Sequence, residues 1–141
     1  MADINRSELR KIIMTALYQI SVYKSTKIKY DTNEVIKELL EVKNDFVNEI
    51  VFGVLEHEDE LVDIANKYLK DWTIDRLGFT DIAILRMAIY ELIYSDTPDI
   101  VVINEAVELA KLYSDDKVVK LINGVLDKIY HEEVNEWIIK Q

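Results

Sequence analysis

The sequence predicts an all-α fold, a compact bundle of about seven helices, on three observations. Gly and Pro occur only three times and once in 141 residues, which disfavours a turn-rich sandwich or barrel. Half of the residues are hydrophobic and 31% are charged, a mixture that suits amphipathic helices. Short polar breaks separate seven segments with helical periodicity. A chain of this length fits one domain, which we place at residues 1–133, with a C-terminal extension at 134–141.

Capping signals and polar breaks set the predicted helix boundaries. Asn5 with Glu8 and Asp31 with Glu34 have the spacing of a capping box, and Thr80 is predicted to be the N-cap of the fifth helix. The seven predicted helices cover about residues 5–23, 31–40, 44–56, 59–69, 81–94, 102–113 and 117–130. Because the connections are short, we expect neighbouring helices to pack antiparallel.

The fifth predicted helix is apolar on almost every side, so we expect it at the centre of the bundle. Arg86 lies in the middle of this helix. A buried charge is costly unless it is paired, so we predict a structural ion pair between Arg86 and a carboxylate such as Glu105 or Glu108.

The sequence has no residue pattern typical of an enzyme. It contains no Cys, and neither His57 nor His131 has a carboxylate three positions earlier, as the Glu-x-x-His pattern of di-metal bundles requires. A glycine-rich phosphate loop and a Gly-x-Ser-x-Gly elbow are missing, and we interpret the acidic run 56–60 as a solvated helix junction. No apolar run has the length of a membrane span. We therefore expect a cytoplasmic protein without catalysis, metal or cofactor.

The net charge of −10 is unevenly distributed along the chain. Residues 1–30 carry six basic and two acidic side chains, a local charge of +4. The acidic remainder repels phosphate and weakens non-specific binding along nucleic acid, whereas a local basic surface can still hold a short strand.

One face of the first predicted helix combines charge with an aromatic ring. Tyr18 lies on a face that is otherwise polar and basic, and Arg6 and Arg10 lie one turn apart at its edge. This combination is typical of a surface that binds single-stranded nucleic acid or a protein. The alternative is a tyrosine that packs with only its hydroxyl in water.

The last predicted helix has an apolar stripe on one side and Lys117, Lys120 and Gly124 on the other, with Leu121 at the border. A glycine within a helix indicates that something approaches closely, and another helix is one candidate. Tyr113 lies just before this helix and adds an aromatic ring near the lysines, which alone is a weak signal of RNA binding.

Four short sequence motifs between Trp72 and Ile129 are specific in their order and spacing. They are Arg76-Leu77, residues 83–92 (AILRMAIYEL), residues 102–111 (VINEAVELAK) and residues 122–128 (INGVLDK). In these motifs the chain resembles the family of the transcription antitermination factor NusB. Ala16-Leu17-Tyr18, preceded by two arginines, fits the opening helix of that family.

The resemblance implies an all-α fold of two packed three-helix groups with a connecting helix, and no catalysis. It implies that the protein pairs with NusE, a protein of the small ribosomal subunit, and that the pair binds the boxA element of nascent RNA. The complex then joins the elongating RNA polymerase and suppresses termination, notably in ribosomal RNA operons. By position, the implied RNA contacts are Arg6, Arg10, Tyr113, Lys117, Lys120 and Leu121, and the implied NusE contacts include Tyr18 and Asp81.

Leu121 departs from the family, in which an aromatic residue is usual at this position. Because an aliphatic side chain cannot stack on a base as a ring can, we predict low intrinsic RNA affinity and dependence on the partner. The alternative is a helical protein-interaction module that has lost RNA binding. An RNA-modifying enzyme is disfavoured because the chain lacks room for a cofactor-binding sheet and has no Cys.

The tail from His131 to Gln141 carries Trp137, Ile138 and Ile139, which is too apolar for a purely solvating segment. We expect it to continue the last helix. It would then rest on its own chain or on a second copy in a weak homodimer.

Overall fold

The computed structural model describes residues 4–70 and 73–134, and this part of the chain is built from seven α-helices and two short helical turns. The helices are α1 (Arg6–Ser25), α2 (Thr32–Leu39), α3 (Asp45–Glu56), α4 (Glu58–Tyr68), α5 (Phe79–Tyr94), α6 (Asp99–Tyr113) and α7 (Asp116–Ile129). A 3-10 turn at Ile74–Arg76 precedes α5, and a π-helical turn at Tyr130–Val134 follows α7. The described residues form no strand, and the all-α prediction with seven helices is confirmed.

Side-chain caps begin four of these helices, because the first N–H groups of a helix have no partner within it. In each case an Asn or Asp oxygen accepts a hydrogen bond from the backbone N–H three residues later. The acceptors are Asn5, Asp31, Asn44 and Asp115, and the donors are Glu8, Glu34, Val47 and Val118. The predicted caps of α1 and α2 are therefore confirmed.

Two predicted helix starts are wrong. Gly78, not Thr80, is the N-cap of α5, and its N–H donates to Asp81 Oδ2 at 3.2 Å. The helix α6 begins at Asp99, directly after Pro98, whereas the prediction began it at residue 102. Pro98 has a fixed φ that is compatible with entry into a helix, and an acidic residue in the first turn interacts favourably with the helix dipole.

The helix α5 is central, as predicted, since it packs against α1, α3, α4, α6 and α7. All of its residues from Ala83 to Leu92 are buried. The helices α1, α2 and α3 form one group, α5, α6 and α7 form the other, and α4 connects them while packing on α5 and α7. Gly53 of α3 lies so close to Tyr90 of α5 that a Cβ at Gly53 would overlap the ring, so this contact requires glycine.

Arg86 is buried and paired, as predicted, but the predicted partners are wrong. Its Nη1 donates to Glu58 Oε1 at 2.6 Å, at the start of α4, and not to Glu105 or Glu108 of α6. Its Nη2 donates to Ser21 Oγ of α1 at 3.3 Å. Burial lowers the pKa of Arg86, and the charge and hydrogen bond of Glu58 partly offset this effect.

The chain leaves α7 through the π-helical turn at Tyr130–Val134. Glu133 in this turn accepts hydrogen bonds from Lys67 Nζ at 2.9 Å and from the Tyr68 hydroxyl at 3.0 Å, which attach the turn to α4. The predicted contacts of the apolar residues 137–139 lie outside the described residues. Across the described ranges, no helix is both long and apolar enough to cross a membrane.

Candidate nucleic-acid and partner interfaces

The α7 face, which we define as Lys117, Lys120, Leu121 and Gly124, forms as the helical periodicity predicts. The opposite side of α7 is buried in the bundle through Ile122, Val125, Leu126 and Ile129. Lys117 and Lys120 are exposed, and Leu121 is half-buried at the border of the core. Two positive charges about one turn apart can contact the phosphates of a strand without disturbing the core below them.

Gly124 lies on the open part of the α7 face. A Cβ at this position would meet no other part of the described chain within 4 Å. Within residues 4–70 and 73–134, therefore, no other helix packs closely on this glycine, although such a helix was one candidate explanation of it. Glycine in the middle of a helix costs stability, so the reason for its presence lies outside the described contacts of the chain.

Tyr113 ends α6, and its side chain is 52% exposed next to the start of α7. The following residue, Ser114, donates a hydrogen bond from Oγ to Asp81 Oδ1 in the first turn of α5. Asp115 then caps α7 by accepting the N–H of Val118 at 3.0 Å. These two bonds fix the α6–α7 connection, which begins directly after Tyr113.

Tyr18 lies on the surface, with 41% of its area exposed, so the structure favours the surface interpretation over a packed ring. Its ring meets the ring of Phe79 edge-on, with centroids 6.5 Å apart, and Phe79 is itself 38% exposed. We call these two residues the aromatic pair. Sequence reasoning missed Phe79, because only the packing of α1 on the start of α5 brings the two rings together.

Asp81 is half-buried, and both of its carboxylate oxygens accept hydrogen bonds within the chain, one from Ser114 and one from the N–H of Gly78. Asp81 thus ties the start of α5 to the α6–α7 connection. Its contact with a partner stays a prediction.

Arg10 was predicted to contact RNA. It is only 3% exposed, so its side chain is buried and does not lie on a surface that RNA could reach. Its Nε and Nη2 donate to the two carboxylate oxygens of Glu91 at 2.9 and 2.7 Å, and Glu105 Oε2 lies 4.0 Å from Nη1. Burial alone would lower the pKa of Arg10, but the hydrogen bond and charge of Glu91, with Glu105, raise it above its ordinary value. A direct contact with RNA would break a buried bidentate ion pair, so we correct this assignment.

Arg6, one turn earlier on α1, remains exposed. Its Cζ lies 4.1 Å from the ring centroid of Phe46, at the start of α3, and Arg10 Cζ lies 5.2 Å from the same centroid. We call Arg6, Arg10 and Phe46 the α1 end. The sequence does not indicate that Phe46 contacts the arginines of α1, because it is 40 residues from Arg6 and has the apolar character of a core residue.

The α1 end and the aromatic pair lie at opposite ends of α5. Arg10 contacts Glu91 near the end of α5, whereas Tyr18 contacts Phe79 at its start, so α1 and α5 run antiparallel. With a rise of 1.5 Å per residue, α5 separates these contacts by about 18 Å. The hydrogen bond from Ser114 to α5 places the α6–α7 connection at the end that carries the aromatic pair.

The acidic run 56–60 lies at the α3–α4 junction, as predicted, where His57 is both the last cap residue of α3 and the first of α4. His57 Nδ1 lies 3.3 Å from Glu60 Oε2, and its ring stacks on Tyr94 with centroids 4.6 Å apart. The hydrogen bond from Tyr94 to Glu60 raises the pKa of Tyr94 to about 12. Within the described ranges, no group of three acidic or imidazole side chains could hold a metal ion.

Exposed lysines and aromatic rings on the helix faces of a seven-helix bundle define the protein as an all-α binding module. The family model described as the NusB family matches residues 7–131. The chain therefore belongs to the NusB family, and the resemblance seen in its sequence is confirmed.

Curated relatives and solved structures agree with this family. The transcription antitermination protein NusB of Staphylococcus haemolyticus is 44% identical over 128 residues, which cover 89% of this chain and 99% of that protein. The Bacillus subtilis protein of the same name is 43% identical over 129 residues, and the match covers 89% of this chain and 95% of that protein. The structure of T. maritima NusB superposes with a TM-score of 0.83 at 28% identity, covering 99% of this chain and 100% of that one.

A second related structure contains partners. It is a crystal structure of the antitermination factors NusB and NusE in complex with double-stranded RNA. It matches with a TM-score of 0.77 at 29% identity and covers 89% of this chain and 96% of that chain.

Proposed function

We propose that this protein is a transcription antitermination factor, a non-catalytic adaptor that pairs with NusE and binds boxA-type RNA in the cytoplasm. In this role it joins the elongating RNA polymerase and promotes processive transcription, notably of ribosomal RNA operons. Membership of the NusB family over residues 7–131 carries the proposal, and the related complex of NusB, NusE and RNA supports it. We assign residues 1–133 to one domain and residues 134–141 to an extension.

We assign the RNA contacts to the α7 face, to Tyr113 and to Arg6. The lysines supply positive charge for phosphates, and the exposed ring of Tyr113 can stack on a base. Leu121 offers an apolar contact at the border of the face. Arg10 contributes by holding the α1 end in place and not by touching RNA.

We assign the NusE contact to the aromatic pair. Exposed aromatic rings carry a large share of binding energy in protein interfaces, and the edge-on contact with Phe79 orders the ring of Tyr18 before binding. Asp81 lies in the same first turn of α5 as Phe79, so a partner on the pair also comes close to the α6–α7 connection.

Isothermal calorimetry with boxA RNA, with and without NusE, tests the proposed function. The net charge of −10 and the small number of exposed bases predict that NusE binding is the stronger single affinity and that RNA binds tightly only to the pair. Equal RNA affinity with and without NusE would contradict this order. Binding of NusE without any RNA binding would favour the helical protein-interaction module.

A variant of the aromatic pair tests the assigned NusE contact, and a core variant serves as its control for stability. Tyr18→Asp should weaken NusE binding and leave the melting temperature nearly unchanged, because Tyr18 is exposed. Leu85→Ala, in the fully buried part of α5, should instead destabilise the fold by about 2–5 kcal/mol. Unchanged NusE affinity in Tyr18→Asp would remove the aromatic pair from the partner interface.

A further inference from the structure

The ring of Phe46 lies against two guanidinium groups at once. Arg6 Cζ is 4.1 Å and Arg10 Cζ is 5.2 Å from its centroid, both within the range of a cation–π contact. The two arginines are one helical turn apart on α1, and Phe46 belongs to the first turn of α3. The ring therefore joins the start of α1 to the start of α3.

One of these guanidiniums is immobilised. Arg10 is buried and donates two hydrogen bonds to Glu91 of α5, and Glu105 of α6 lies 4.0 Å away on its other side. Ser7 Oγ also donates to Glu105 Oε1 at 2.9 Å, which ties the first turn of α1 to α6. Arg10 thus gives the Phe46 ring a fixed neighbour. The start of α1 is held by α5 through Arg10 and by α6 through Ser7.

The other guanidinium faces solvent. Over residues 4–70 and 73–134, the structure gives Arg6 no carboxylate within ion-pair distance, and the ring of Phe46 is the contact that orders it. A guanidinium that stacks on a ring keeps the N–H groups at its edge available to an anion. An arginine side chain ordered before binding also loses less conformational entropy when it meets a phosphate.

We propose that Phe46 is a positioning residue for RNA binding, which stacks Arg6 so that the edge of its guanidinium meets a phosphodiester of the strand. This inference rests on the proposed function and adds a residue that acts through Arg6 without touching RNA. The Arg10–Glu91 pair is the buried support of this arrangement, since it fixes the surface against which the ring lies.

The test is the RNA affinity of Phe46→Leu in the pair with NusE, measured by fluorescence anisotropy with a boxA oligonucleotide at several salt concentrations. Leucine keeps an apolar side chain of similar size and removes the ring that attracts the cation. We expect affinity to fall about two- to fivefold, as the loss of an exposed cation–π contact implies. Because Phe46 is half-buried against the core, the melting temperature should fall slightly. NusE affinity should stay unchanged, and Phe46→Tyr should restore RNA binding. Phe52→Leu, an exposed position on the same helix, is the matched control and should have no effect.

A double-mutant cycle with Arg6→Ala separates positioning from a general structural role. If Phe46 acts through Arg6, Phe46→Leu has no further effect on RNA affinity once Arg6 is alanine. An equal loss in both backgrounds, or a loss that Phe46→Tyr does not restore, would overturn the inference. Normal RNA affinity of Arg6→Ala together with weakened binding of Lys120→Glu would also overturn it, while leaving the proposed function intact. Absence of RNA binding by the wild-type pair would instead remove the proposed function itself.

Discussion

The α1 end and the α7 face both carry two basic residues about one helical turn apart, yet the fold uses these charges differently. At the α1 end, Arg10 is buried in an ion pair with Glu91, and Arg6 stays exposed against a ring. On the α7 face, Lys117 and Lys120 are both exposed. A similar spacing of charge in the sequence thus produces one surface charge in the first region and two in the second.

The difference arises from what lies under each helix. The helix α7 packs through a continuous apolar stripe, so its lysines lie on the far side of the helix, outside the core. The helix α1 instead crosses a position where α5 presents a carboxylate that is 1% exposed. A buried carboxylate requires a buried cation, and Arg10 meets that requirement. The stability of the fold is therefore coupled to the α1 end and largely independent of the α7 face.

Removal of the buried carboxylate should have the largest effect. Glu91→Gln leaves Arg10 charged and without its hydrogen-bonded carboxylate, with only Glu105 at 4.0 Å, and we expect a loss of about 3–5 kcal/mol in the free energy of unfolding. Denaturant unfolding followed by circular dichroism measures it. The control is Glu105→Gln, at a partly exposed carboxylate 4.0 Å from Arg10, which should cost less than about 1 kcal/mol.

A paired replacement distinguishes charge from shape at the α1 end. Arg10→Met with Glu91→Leu removes both charges together and should recover most of the stability that Glu91→Gln loses, since neither buried charge is then left alone. If the double variant is as unstable as Glu91→Gln, the packing of these side chains and not their charge supports the α1 end.

Local periodicity in the sequence predicts three features of the fold: the presence of the seven helices, the central place of α5 and the exposed face of α7. Local periodicity could not separate Arg6 from Arg10, because both fall at the edge of the α1 stripe. The carboxylate that decides between them, Glu91, is 81 residues away in the chain. The same limit explains the wrong partner of Arg86, whose carboxylate, Glu58, comes from a helix junction that no spacing rule connects to α5.

On the α7 face, charge reversal should affect RNA binding and leave stability almost unchanged. Lys120→Glu removes one exposed cation, and we expect a loss of about 1.5–3 kcal/mol in RNA binding by the pair with NusE. The slope of log affinity against log salt should fall by about 0.7, the value for one phosphate contact to a single strand. Fluorescence anisotropy at several salt concentrations measures both quantities. An unchanged slope would mean that Lys120 contacts no phosphate.

A ring at the border of the α7 face should have a smaller effect of the opposite sign. Leu121→Phe places an aromatic side chain at a half-buried position, where it can reach a base without displacing Ile122 below it. We expect tighter RNA binding by about 1 kcal/mol, seen as a slower off-rate and without a change in the salt slope. A loss of affinity together with a lower melting temperature would show instead that the ring enters the core.

The sharpest contrast between regions concerns two glycines in the middle of helices, of which Gly124 should give the smallest effect on stability. Gly124→Ala adds a Cβ into open space and should stabilise the fold by about 0.5–1 kcal/mol, because alanine is the better helix former. Gly53→Ala should instead destabilise it by about 1–3 kcal/mol, because its Cβ would overlap the ring of Tyr90. Thermal unfolding compares the two variants directly.

The RNA affinity of Gly124→Ala then shows why α7 keeps a glycine that weakens it. The position lies one turn beyond Lys120 on the same side of α7, where a strand held by Lys117 and Lys120 would pass close to the helix backbone. An added methyl group would hold that strand away, so we expect Gly124→Ala to be more stable and to bind RNA less tightly in the pair with NusE. A more stable variant with unchanged RNA affinity would mean that the strand does not approach the backbone here, and the RNA contacts would then be limited to the tips of the lysine side chains.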